Sequence, residues 1–411
     1  MKLNVLFLIA LAAMMGCEQI ELLPGGDDRQ IENAPENEIA YTHVLQVGPN
    51  REFTSIRQAA VAAGDSTLIE VDAGTYMGDV TIWEQDELYI RAVGGEVILD
   101  ANGRHWAGKG IWEIAGGNVK VEGFTFINAK VPDRNGAGIR FDKGRLTVDN
   151  CKFLHSECGI LTANSGGTLI VRHTEFGYLG YGDGRSHNLY VGQIDTFLMT
   201  GSYSHHAKEG HLVKCRARFG LLAYNRIANE NDDSYNSSYE VDFPDGGTHI
   251  LVGNIIQQSE QSPNTSIIAF HEENIGRWTE HALYLSHNTI LNSKETSNSL
   301  FIPASRLPAS GIVMVNNLFS ENIKNLAANF LSVDKGNQTY KKSDLNADYL
   351  PSASLSESLK GKLEPDVDNY LPGELRSAGI SLIPASEYLH PCRSVPLTSP
   401  PAIAGASRQN F

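Results

Sequence analysis

Between residues 183 and 245 the chain gathers side chains that can move protons and hold anions. They are His187, Tyr190, His205, His206, Lys208, His211, Lys214, Arg216, Arg218, Glu240 and Asp242. Lys214, Arg216 and Arg218 recur at every second residue. On an extended strand successive side chains face opposite ways, so with Val213 and Cys215 inward the three cations face outward together. Grouped cations neutralise a carboxylate and so stabilise the enolate formed when the adjacent carbon loses its proton. A base must accept that proton, and Lys, His and Tyr can all serve. Like charge from the arginines is expected to lower the pKa of Lys214 towards a working base. His211 or Tyr190 is the expected acid or base partner, with His187 beside them. Arg218, His205, His206 and Glu240 are the expected substrate contacts. Glu240 and Asp242 offer hard oxygen ligands of the kind that hold Ca²⁺. The same two carboxylates also suit ion pairing with Lys214 and Arg216. His205-His206 has no zinc-binding spacing.

These residues need a scaffold that brings distant segments side by side, and the repeat supplies it. Phe126, Phe153, Phe176, Ser204, Ile227, Ile256, Ile290 and Phe319 each close a short stretch of alternating apolar residues, at intervals of 27, 23, 28, 23, 29, 34 and 29. Two positions before them stand Phe124, Cys151, Thr174, Ser202, Asn225, Asn254, Asn288 and Asn317. Such intervals are too long for hairpins and carry no helical period, but they match one coil of a parallel β-helix. The asparagines explain themselves in a parallel stack. Equivalent residues lie about 4.8 Å apart, and an amide that both donates and accepts can bond its copy on the next coil. A second series includes Gly138–Phe141, Gly159–Thr162, Asn188–Val191, His211–Arg216, Tyr239–Asp242, Ile267–Phe270 and Leu300–Ile302. Stacking it puts Tyr190, Lys214/Arg216 and Glu240/Asp242 on one face.

The expected fold is therefore all-β, a single-stranded right-handed parallel β-helix over residues 41–330. An N-terminal helix over Phe53–Ala63 caps it, opened by Ser55 with Gln58 as a capping box. Past residue 320 the pattern fades, and 331–411 reads as an irregular segment that wraps or caps the far end. The segment Gly64–Tyr76, the Asn-anchored repeat and the tail from Tyr388 to Ala406 resemble pectate-lyase-like β-helix proteins. That resemblance covers roughly residues 44–325 and the tail. It implies action on polysaccharides, but the fold hosts lyases, hydrolases, esterases, epimerases and binders alike. The aspartate pattern of the polygalacturonase-like hydrolases is absent, and Asp183–His187 is only a loose echo of the alginate epimerases. Joined to the cationic face, the resemblance implies a lyase that cleaves a uronate-containing polymer by β-elimination. A C5-epimerase, a non-catalytic polysaccharide binder and a deacetylase or hydrolase are the alternatives.

Composition narrows the partners. The 411 residues carry a formal net charge of -15, which argues against nucleic acid. An acidic polysaccharide then needs a locally basic site, and the chain reads as a monomer. Lys2 followed by the apolar run Leu3–Met15 and Gly16-Cys17 resembles a bacterial lipoprotein signal, with Met14 where such signals usually carry Leu. It implies cleavage after residue 16, lipidation of Cys17 and, with Glu18 next, an outer-membrane destination. Residues 17–40 form a polar spacer. Cys151, Cys158, Cys215 and Cys392 match no metal spacing. A Cys151–Cys158 disulfide and burial as free thiols are both open.

Overall fold

The computed structural model describes residues 41–230, 232–273, 276–301, 311–324, 331–346 and 349–406. The leader, Cys17 and the spacer lie outside the described residues. The chain winds as a parallel β-helix. One sheet of ten strands runs from Thr81–Trp83 to Ile323–Lys324. Two further ladders bend into each other and close the coil. Each coil visits the ten-stranded sheet and then the two ladders, as in Leu189–Val191, Thr196–Thr200 and Tyr203–Ser204.

The repeat read from the sequence is the register of the stack. Phe126, Phe153, Phe176, Ser204, Ile227, Ile256, Ile290 and Phe319 pair directly from coil to coil. Phe153 stacks between Phe126 and Phe176 with centroids 4.8 and 5.0 Å away. Burying aromatic faces against one another at strand spacing gives the core both area and register. At the bend between the ladders the asparagines form a continuous row. Asn225 Nδ2 donates to Asn254 Oδ1, Asn254 to Asn288 and Asn288 to Asn317, at 3.0, 2.9 and 3.0 Å. The row runs one step further, to Asn337.

That step corrects the expected end of the helix. Leu331–Lys335 and Gln338–Tyr340 pair in parallel with the preceding coil, so the stack continues to residue 340. The strands there are short and polar on their outer side, which hid them from a hydrophobic pattern. The remaining segment is a strap rather than a plug. Ile380 and Leu382 pack on the first ladder beside Ile250 and Tyr284. The hairpin Ser386–Leu389 and Arg393–Pro396 carries Tyr388 onto Tyr203 and Ile255 of the second. At the other end, the helix Ile56–Ala62 covers the first coil with Ile56, Ala59 and Ala60 and has the Ser55/Gln58 capping box. The described cysteines are free thiols, so Cys151 and Cys158 are buried and unpaired.

Candidate active site

Three strands of the ten-stranded sheet set the site. Tyr190 pairs with Lys214, and Lys214 with Asp242, so these residues form one row across three consecutive coils. Their flanking residues Leu189, Val213 and Val241 point into the core, and alternation turns the row outward. Lys214 Nζ donates to Asp242 Oδ2 at 2.8 Å and to Glu273 Oε1 at 3.4 Å. Arg216 is the hub: Nε donates to Tyr190 Oη at 3.1 Å, Nη1 to Asp245 and Nη2 to Glu273. Asp245 also accepts from Gln193 Nε2 at 2.7 Å, and Trp278 Nε1 donates to the Arg216 carbonyl at 3.2 Å.

Beside the row stands a column of rings. His187 stacks on Tyr190 and on His211, and His211 on Tyr239, with centroids 5.4, 4.6 and 5.2 Å apart. The imidazoles are also bound along the column. His187 Nδ1 accepts the His211 backbone N–H at 2.9 Å, and His211 Nδ1 accepts that of Tyr239 at 3.0 Å. An Nδ1 that accepts carries no proton, so in each neutral ring the proton sits on Nε2. His211 Nε2 faces Asp242 Oδ2 at 3.3 Å. Burial, then Lys214 and Arg216 beside it, pushes the His211 pKa down to about 3. Burial and His211 push His187 well below its usual range. Both rings are neutral at pH 7, and the enclosed His187 supports Tyr190 and His211 from beneath.

The electrostatics of Lys214 reverse the expectation. Burial alone would lower its pKa, but Asp242 and Glu273 more than offset this and raise it. The neighbouring carboxylates, which the sequence could not place, outweigh the like charge of Arg216. Lys214 is thus a firmly charged ammonium. Asp242 is pushed up to about 6 by burial, with the Lys214 charge pulling the other way.

Three other expectations change. Arg218 does not join the row. The strand ends at Cys215, the chain turns the corner, and the half-exposed Arg218 faces Asp195 at 3.6 Å. Glu240 is fully buried, with its carboxylate accepting from Ser237 Oγ at 3.2 Å. It precedes Val241 at the corner of the coil and stacks in register between Leu212 and Ile267. Substrate and metal cannot reach it there, and burial raises its pKa well above the carboxylate range. His205 and His206 form a separate group. His205 Nε2 lies 3.2 Å from Glu175 Oε1, and the rings contact Tyr178, Tyr203 and Tyr235. That set shares no residue with the group around Lys214.

Glu272, Glu273 and Asp245 were not legible as site residues. Glu272 and Glu273 follow the strand Ser266–Phe270, and Glu273 reaches the row at Lys214 and Arg216. An acidic pair at a strand end, on the coil after Asp242, was the available signal. Asp242, Glu272 and Glu273 each offer an oxygen within 4.8 Å of the others. Asp242 Oδ1 is buried without a hydrogen-bond partner. Burial, then the charges of Asp242 and Glu273, pushes Glu272 up to about 7. Both Glu273 oxygens are already held by Lys214 and Arg216, so a hard divalent cation fits the oxygens of Asp242 and Glu272, and Glu272 stands where Glu240 was expected.

The chain superposes on the crystal structure of pectate lyase Pel9A with a TM-score of 0.55 at 16% identity, over 82% of this chain and 88% of that one. The two chains share the parallel β-helix fold. It matches alginate lyase from Paenibacillus sp. str. FPU-7 with a TM-score of 0.48 at 14% identity, over 73% and 96% of the two chains. No protein-family model and no curated protein sequence matches the chain. On this β-helix the row Tyr190–Lys214–Asp242 occupies the outer face of the ten-stranded sheet.

Proposed function

We propose that the protein is a polysaccharide lyase that cleaves a uronate-containing polymer by β-elimination. The observation that carries this reading is Arg216, whose guanidinium meets a phenol and two carboxylates beside a charged lysine on the outer side of the ten-stranded sheet. Lys214 and Arg216 neutralise the uronate carboxylate, which acidifies the C5 proton and stabilises the enolate. Tyr190, oriented by Arg216 and reacting as its phenolate, accepts the C5 proton and becomes the phenol. The electron pair forms the C4–C5 double bond, the C4–O bond breaks, and the leaving oxygen takes a proton from Lys214. Two of the three ammonium donors are used by Asp242 and Glu273, which leaves one for this task. Asp242 and Glu272 would hold Ca²⁺, which would supply a further positive charge near the substrate carboxylate.

The test is incubation with a panel of polyuronates, with and without Ca²⁺, while following the ultraviolet absorbance of unsaturated ends. Absorbance that rises with at least one polymer, and falls roughly 10²- to 10⁴-fold in Tyr190→Phe, is the expected result. Silence with every polymer defeats the lyase reading. Deuterium uptake at C5 without cleavage would make it an epimerase, and retention without turnover a binder. For the cation, Ca²⁺ is expected to raise the unfolding temperature of the wild type, and much less that of Glu272→Gln. Equal shifts in both proteins would remove Glu272 from the ligands.

A further inference from the structure

Lys214 and Arg216 each already own a buried counter-charge. Asp242 pairs with Lys214 and Asp245 with Arg216, and both acids are shut away from water. Two cations and two buried carboxylates balance locally. Glu273 is a third carboxylate, surplus to that balance, and it differs in kind from the other two. It reaches Lys214 across 59 residues of sequence and lies on the outer side of the pair. Its side chain is 45% exposed, whereas those of Lys214 and Arg216 are 9% and 12% exposed. One carboxylate oxygen faces Lys214 Nζ and the other Arg216 Nη2. Glu273 is therefore the solvent-side cover of two otherwise enclosed cations.

A hexuronate presents the same group, two oxygens on one trigonal carbon. We propose that Glu273 is a built-in surrogate for the substrate carboxylate, and that substrate binds by displacing its side chain from Lys214 and Arg216. This inference rests on the uronate reading of the site and adds how the site selects its ligand. A tethered carboxylate competes at an effective concentration in the millimolar range, so only a ligand that satisfies both cations can replace it. A neutral or esterified sugar would leave one nearly buried N–H on each cation, the one that Glu273 held, without a charged acceptor, and the site rejects it on that ground. The surrogate also keeps the outward N–H groups of the two cations hydrogen-bonded when no substrate is present, where an unsatisfied donor would carry a desolvation cost.

The experiment compares full-length wild type, Glu273→Gln and Glu273→Ala for binding and for turnover. Calorimetric titration with oligogalacturonate, oligoalginate and fully methyl-esterified oligogalacturonate gives the binding arm. Release of unsaturated ends gives the turnover arm. Removing the surrogate charge is expected to tighten binding of an acidic oligomer about 10-fold or more, to leave the esterified control unimproved, and to lower KM with little change in kcat. A fall in kcat with unchanged KM would instead make Glu273 part of the chemistry and overturn the surrogate role. Equal or weaker binding of every acidic oligomer by both variants overturns it as well. The two readings separate cleanly. Wild-type cleavage without tighter binding in the variants keeps the lyase and loses the surrogate, whereas tighter binding without cleavage does the reverse.

Discussion

Arg216→Ala is expected to lower kcat/KM by roughly 10²- to 10³-fold, the range for removing one preorganised charge-stabilising donor. The same substitution takes this cation from Asp245, which is shut away from water and still accepts from Gln193 Nε2. A buried carboxylate stripped of its cation costs about 3 kcal/mol or more. Stability therefore falls as well, and the rate must be measured below the unfolding transition. Arg216→Lys separates the two effects. It restores a positive charge for Asp245, but one ammonium cannot serve Tyr190, Asp245 and Glu273 in the planar geometry of a guanidinium. We expect Arg216→Lys to recover much of the stability and little of the rate. Wild-type turnover in Arg216→Lys would show that charge alone suffices and that the orientation of Tyr190 is irrelevant.

Asn288→Ala is expected to have the largest effect on stability among single changes outside the site. The Asn288 amide sits at zero exposure. Its oxygen accepts from Asn254 N and Nδ2 at 3.0 and 2.9 Å. Its nitrogen donates to Leu251 O and Asn317 Oδ1 at 2.8 and 3.0 Å. Alanine removes all four bonds and strands partners on two neighbouring coils. With each unsatisfied buried group costing about 1–3 kcal/mol, the sum is about 4 kcal/mol after partial relaxation. Chemical denaturation should show it as a lower midpoint, against a change within about 0.5 kcal/mol for the exposed Glu295→Ala. A loss no greater than that control would mean that the row is ornamental and that core aromatics alone hold the register.

The sequence by itself determined the stack. A coil can add to the last one only if apolar residues fall on the same inward column and the bend residues bond their copies, and both conditions are local and repetitive. The closing residues from Phe126 to Phe319, apolar but for Ser204, mark eight coils, and the asparagines from Asn225 to Asn317 bond their copies in four of them, so spacing alone revealed the register. The capping helix was legible for the same reason, because Ser55 and Gln58 act within one turn. The coil at Leu331–Tyr340 escaped because its pattern is short and polar, although Asn337 continues the row.

The site was legible only where it lies on straight strand. Tyr190, Lys214 and Asp242 share a row because alternation holds within each strand. Alternation fails at corners, where the backbone turns. That failure buried Glu240 and sent Arg218 to Asp195. The protonation of the site lay beyond sequence altogether. The cations written as neighbours at 214, 216 and 218 suggest mutual repulsion, but Asp242, Asp245 and Glu273 arrive from later coils and later segments of the chain to pair with two of them. Charge acts through space, over distances that the winding of the chain sets and its order does not. Tertiary structure alone therefore decided that Lys214 is held charged, that His211 is neutral with its proton towards Asp242, and that a glutamate covers the cations.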